Sequence, residues 1–335
     1  MIYFFQYYRV LMIIFVLFRH MHTMFPDNMI FYVLDGGSEA VNFFFILSGF
    51  LQYKYLEKNN LKSYKVYLKN IFIKKKMYFI HYYIYLFFSS IYHLFIHTYA
   101  DMVSVLKYVF LNGVFISTLF PTFNNSILSS GWYFVDLVLC MIISLGIYKL
   151  MKKIKPVPFL TSLICLHFVM NYVARGHSEY FWIMYFSIYS RIIDYTIGML
   201  IYKIGKKYIL CLNATLMEII ALCGVIIIHL MELLSINSMI FSYMLLANAF
   251  LIYVFSYQEG KISRLFKKNK VVDTICKYSF TIYIYNFIFL LYTLLSPWSP
   301  SPYLNLIVVL ILIVIVDELV NYLVIKISKP NYKIT

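Results

Sequence analysis

The chain has 335 residues, of which 62% are hydrophobic and only 13% charged, with a formal net charge of +15. A soluble domain carries about 25% charged residues, so this composition cannot cover a water-facing surface; it excludes a soluble enzyme and fits lipid as the solvent. The basic residues sit between apolar runs rather than in one patch, so they read as topology signals and not as a nucleic-acid footprint.

In chain order, apolar runs long enough to span or nearly so cover 4–25, 39–56, 72–97, 130–150, 158–173, 180–202, 209–232, 236–257, 274–296 and 303–326. No small-residue cleavage site follows the first run, which reads as a retained span. The fold class expected is an all-α polytopic membrane protein of about ten transmembrane helices, with residues 1–330 as one transmembrane domain and 331–335 as a short cytoplasmic tail. A further run, 103–120, is apolar but carries Lys107, Asn112 and Gly113. Hydropathy alone allows it to be a span, a re-entrant piece or an interfacial helix.

Charge decides the matter. Of the 29 Lys and Arg residues, all but Lys107, Arg175, Arg9, Arg19 and Arg191 fall on connections after even-numbered spans or at the C-terminal end. By the positive-inside rule both termini are then cytoplasmic. Making 103–120 a span would invert everything after it and place three Lys-rich connections outside. The run is therefore expected to be a non-spanning part of a long external loop, about 98–129. The five cysteines, Cys140, Cys165, Cys211, Cys223 and Cys276, lie in apolar runs with no close pair. They read as small buried hydrophobes, and neither a disulfide framework nor a metal site is expected.

A charge at mid-bilayer costs at least about 2.5–3.5 kcal/mol, so each interior ionisable group needs a structural or functional reason. Arg9 and His20 share the first span, eleven residues or about 16 Å apart along a helix axis, and return to nearly the same face. Arg9 lies toward the cytoplasm and His20 toward the outer leaflet. Asp136 is at a depth similar to His20, either orienting an imidazole or serving as a salt-bridge partner. Arg191 and Asp194 are spaced i, i+3, which permits an ion pair, while an inward-facing Arg191 would also suit a phosphate or carboxylate. Asp317 and Glu318 in the last span read as pairing residues. Lys74, Lys75 and Lys76 open the third span as a topology anchor, and they would also suit an anionic cytosolic ligand.

Several of these positions together resemble the acyltransferase-3 family of integral membrane O-acyltransferases. Arg9 and His20 are similar to the family's Arg-x10-His signature. Residues 37–50, GSEAVNFFFILSGF, resemble its glycine, Val-Asp, Phe-Phe and Leu-Ser-Gly-Phe block. The basic run at Lys74–Lys76, the segment Ser190–Leu200 with Arg191 and Gly198, the block Ser279–Asn286 and the terminal Lys329-Pro330 follow in the family's order. The departures are Asn42 in place of Asp, lysines in place of arginines at 74–76, Asn286 in place of His, and only a loose match at Trp132 and Asp136.

The resemblance implies transfer of an acyl group, usually acetyl from acetyl-CoA, to a hydroxyl of a cell-surface polysaccharide or lipid-linked sugar, in the bacterial cytoplasmic membrane. On that expectation Arg9, Lys74, Lys75, Lys76 and Arg191 bind the donor. His20 is the general base on the acceptor hydroxyl, or a transient acyl carrier, and Asp136 orients it. Ser48 and Gly49 serve close helix packing. Two other readings stay open: a membrane glycan or lipid transporter, and an acyltransferase-like protein without activity.

Overall fold

The computed structural model describes residues 2–60, 63–95, 102–120, 130–177, 179–205, 213–234, 239–294 and 301–328. Segment 121–129, Cys211, Lys329-Pro330 and the tail 331–335 lie outside the described residues. The helices are α1 (Tyr3–Met24), α2 (Met29–Val33), α3 (Gly37–Asn59), α4 (Tyr64–Lys74), α5 (Lys76–Phe95), α6 (Met102–Gly113), α7 (Trp132–Lys153), α8 (Pro156–Ala174), α9 (Ile188–Gly205), α10 (Ala214–Leu233), α11 (Ile240–Ser256), α12 (Lys261–Leu265), α13 (Lys270–Leu294) and α14 (Pro302–Ser328). There is no strand among the described residues. Each of the ten apolar runs coincides with a helix: α1, α3, α5, α7, α8, α9, α10, α11, α13 and α14. Six described segments are long and apolar enough to cross a membrane, Tyr3–Met24, Met29–Asn59, Trp132–Lys153, Pro156–Ala174, Ala214–Leu233 and Pro302–Lys326.

Local chemistry sets many of the ends. Asn28 and Asn213 cap α2 and α10 by accepting from amides two and three residues on, satisfying donors that a helix start leaves unpaired. Pro156 opens α8, where its missing N–H costs nothing. Asn60 ends α3 in the left-handed conformation, at φ 43°. A π-helical turn, Trp182–Phe186, precedes α9.

The centre of the bundle is α3 against α9. A side chain at Gly198 would meet the backbone carbonyl of Ile46, and one at Gly49 the backbone carbonyl of Tyr195. These two glycines let the helices meet backbone to backbone, the small-residue contact favoured between helices in lipid. Helix α1 packs on α3 and, from its other side, on α13. There Cys276 reaches the Gln6 carbonyl, Arg9 reaches Ser279 and the His20 ring meets Phe287. Residue numbers rise together along that contact, so α1 and α13 are parallel.

Helices α3 and α7 are parallel too: Phe45 packs on Tyr133, Gln52 reaches Ser144 and Tyr53 packs on Tyr148. Parallel neighbours require an odd number of crossings between them, and α5 supplies one. Helix α6 returns against α5, with Tyr82 and Tyr83 donating to the carbonyls of Asn112 and Gly113, each at 3.0 Å, and Phe79 meeting Phe115. The region expected as part of an external loop is thus packed into the bundle. Asn112, Ser117 and Thr118 are all buried. Asn112 is satisfied locally, taking a hydrogen bond from Ser117 at 2.6 Å and donating to the Tyr108 carbonyl at 2.9 Å.

Candidate active site

Two adjoining cavities of about 210 and 350 Å³ open between α1, α3, α4, α7 and α13. Both are lined by Ser48, Leu51, Lys75, Leu137 and Met141. The smaller adds Arg9, Tyr78, Tyr133, Ser279 and Tyr283, and the larger adds Gln52, Tyr55, Asn70 and Lys74. Arg9 stands on the second turn of α1, and its Nη2 donates to Ser279 Oγ at 2.9 Å. Lys74 and Lys75 come from the junction of α4 and α5. Each ammonium is held over an aromatic face, Lys74 at 4.5 Å from Tyr55 and Lys75 at 4.7 Å from Tyr78, a contact that positions a cation without neutralising it.

The charges around these cavities are one-sided. Arg9, Lys74 and Lys75 line them, and no carboxylate among the described residues does. Several interior charged groups elsewhere in the bundle are paired. Arg191 Nη1 donates to Asp194 Oδ2 at 2.6 Å, His81 Nε2 lies 3.4 Å from Asp317 Oδ1, and Arg19 Nη1 meets Asp35 Oδ2 at 2.9 Å. Lys74 is exposed and Arg9 and Lys75 are part-buried, so an anion entering the cavities would meet three cations at once.

The family model described as an acyltransferase domain, Acyl_transf_3, matches residues 2–316. The chain belongs to the acyltransferase-3 family. Searches of curated proteins and of solved structures found no match. The motifs that resemble the family converge on the cavities: Arg9 on α1, the 37–50 block as α3, the basic run at the α4–α5 junction, and Ser279 and Tyr283 from the α13 block. The α9 block provides the glycine against which α3 packs.

The expected site residues do not all meet. Arg9, Lys74 and Lys75 share the cavities; Lys76 is exposed and lines neither. His20 packs its ring 5.2 Å from Phe287 and lies within electrostatic range of Arg19 and Asp35. Asp136 is fully buried and sits instead among Thr118, Cys140 and Arg191. No hydrogen bond or ion pair joins it to His20. Depth along a span is readable from sequence, but the direction a side chain takes around its helix depends on neighbours, and α7 turns Asp136 toward α9.

Arg191 likewise lines neither cavity. Besides Asp194 it donates from Nη2 to the Met184 carbonyl at 2.5 Å, so the π-helical turn before α9 feeds it a backbone acceptor. His167 of α8 completes this network, with Nε2 3.8 Å from Asp194 Oδ1 and Nδ1 3.0 Å from Ser242 Oγ. A second interior constellation runs from Tyr285 through His81 to Asp317, expected as a pairing residue, with Tyr285 Oη 3.2 Å from His81 Nδ1. A third gathers Arg19, His22 and Asp35 at the far end of α1. Their partners are distant in sequence, and only the isolated polar residues within apolar runs signalled them.

Proposed function

We propose that this family member is an O-acyltransferase that moves acetyl from acetyl-CoA to a hydroxyl of a cell-surface polysaccharide or lipid-linked sugar. It would lie in the bacterial cytoplasmic membrane with ten spans and both termini cytoplasmic. The observation that carries the reading is the cavity pair lined by Arg9, Lys74 and Lys75 with no carboxylate among the described lining residues. Three cations suit the phosphates of a coenzyme A thioester, and the smaller, aromatic-lined cavity suits its uncharged arm. The parallel pairs α1–α13 and α3–α7 support the ten-span topology, since counting α6 as a crossing would make both pairs antiparallel. In that topology the α4–α5 junction faces the cytosol, where an acyl-CoA is available.

In this mechanism Arg9, Lys74 and Lys75 hold the donor phosphates, with Lys76 adding charge at the rim. His20, about 16 Å further along α1, receives the proton of the acceptor hydroxyl. The oxygen attacks the thioester carbonyl, the C–S bond breaks, and the proton passes from the imidazolium to the departing thiolate. The products are an O-acyl sugar and free CoA thiol. Arg191 and Asp136 act as the framework that holds α7 and α9 around this passage. The direct test supplies membranes with acetyl-labelled CoA and cell-envelope glycan. Label transfer by the wild type and its loss in His20→Ala are expected; wild-type labelling by a well-folded His20→Ala protein would rule out the base.

A further inference from the structure

Helix α13 contributes Ser279, Phe280 and Tyr283 to the lining of the smaller cavity. Ser279 is buried, 7% exposed. Its hydroxyl donates to the Cys276 carbonyl, three residues back on the same helix, at 2.9 Å. A serine hydroxyl has one proton and two lone pairs. With the proton committed to the backbone, only lone pairs face the cavity side, and there the oxygen accepts from Arg9 Nη2 at 2.9 Å. The direction of this contact is therefore set by α13 itself: Ser279 holds a donor and offers none.

The chemistry of that acceptor separates Arg9 from the other arginines of the bundle. Arg19 and Arg191 are each held by a carboxylate, Asp35 and Asp194, which neutralises them. Arg9 is held by a neutral oxygen and pairs with no carboxylate among the described residues. A guanidinium carries five N–H donors in a rigid fork. Fixing one of them on Ser279 turns the fork while leaving the positive charge intact for an anion. A side chain ordered in advance also spares an incoming ligand the entropy of ordering it. The same wall steadies the second cation of the cavity. Phe280, the next residue, meets Tyr78 edge-on, with ring centroids 4.5 Å apart at 89°, and Tyr78 carries the Lys75 ammonium over its face.

We propose that Ser279 is a positioning residue for the acyl donor, aiming Arg9 into the cavity without neutralising it and so setting the affinity for the donor's phosphates. The assignment rests on the acyltransferase reading. A serine that only fastened α1 to α13 would change melting and leave CoA affinity alone. The test measures the Kd for CoA by calorimetric titration of the purified full-length protein, in wild type, Ser279→Ala, Ser279→Thr, Arg9→Ala and the double variant Arg9→Ala/Ser279→Ala. Ser279→Ala is expected to weaken CoA binding about tenfold, the size of one hydrogen bond to a charged group. Ser279→Thr keeps a hydroxyl able to bond the preceding turn and should bind as wild type does. The double variant should bind no more weakly than Arg9→Ala, because the serine acts only through the arginine. Melting without CoA reports folding; should Ser279→Ala not fold, Ser279→Cys, whose thiol is a weak acceptor, replaces it with the same expected loss. An unchanged Kd in Ser279→Ala, no rescue by Ser279→Thr, or losses that add in the double variant would overturn the positioning role. A wild type that binds no CoA, or Arg9→Ala binding it as wild type does, would instead overturn the reading of the cavities as the donor site.

Discussion

Replacing Gly198 with alanine tests whether α3 and α9 meet through their backbones. The added Cβ would overlap the Ile46 carbonyl oxygen and lie 2.8 Å from its carbon and 3.0 Å from the Phe50 nitrogen. No rotamer change relieves a clash with backbone, so the two helices must separate. Overpacking of this kind costs about 1–3 kcal/mol. Alanine also gains helix propensity over glycine, about 0.8–1 kcal/mol, which would mask part of the loss. Gly146→Ala on α7 supplies the control, because nothing lies within 4 Å of its added Cβ, and it carries the propensity gain alone. The difference between the two variants isolates the clash. Thermal unfolding of the purified proteins should show Gly198→Ala melting below wild type and Gly146→Ala at or above it. Because Ser48 lines the cavities and adjoins Gly49, Gly198→Ala should also bind CoA more weakly. Equal melting of the two variants would refute the backbone-to-backbone packing.

Other changes have equally definite outcomes. Asp194→Leu strands Arg191 in the interior and should cost about 3–5 kcal/mol, seen as poor yield and early melting, whereas the double variant Arg191→Met/Asp194→Leu should recover most of it; equal losses would argue against the pair. Glu218 of α10 accepts from the amides of Ile262 at 2.9 Å and Ser263 at 3.3 Å at the start of α12. Glu218→Ala should remove about 1–3 kcal/mol locally and speed amide hydrogen exchange over 260–265, with unaltered exchange there speaking against this cap. Asp317→Ala should leave His81 with Tyr285 alone and loosen α14 from α5, measurable as faster exchange in α14; no change would make the His81–Asp317 contact incidental.

The sequence was most informative where physics acts along the chain. Apolar length located the helices, whereas the lysine distribution suggested an external loop at 103–120, where Met102–Gly113 forms a helix packed against α5. The i, i+3 spacing of Arg191 and Asp194 anticipated their ion pair, and the glycine in the 37–50 block its packing role. The sequence was least informative where side chains meet across the bundle. The separation of Arg9 and His20 on one helix is readable, but the turning of Asp136 toward Arg191 depends on how α7 rotates against α9. Asp35, His167 and His229 each draw meaning from a partner on another element. Their only sequence signal was a polar residue in or beside an apolar run, which does not say what it faces.

The central claim is that unpaired cations on α1 and at the α4–α5 junction receive an anionic acyl donor. Its most direct test is the melting temperature of the purified protein with and without CoA, in wild type and in Arg9→Ala. A ligand that binds only the folded state stabilises it by about 2.7 kcal/mol at a hundredfold excess over Kd, so wild type should melt higher with CoA. Removing one charge-assisted contact of about 1.5–3 kcal/mol should shift the Arg9→Ala response to CoA concentrations more than tenfold higher. Wild type without any response to CoA, or Arg9→Ala with the wild-type response, would contradict the account.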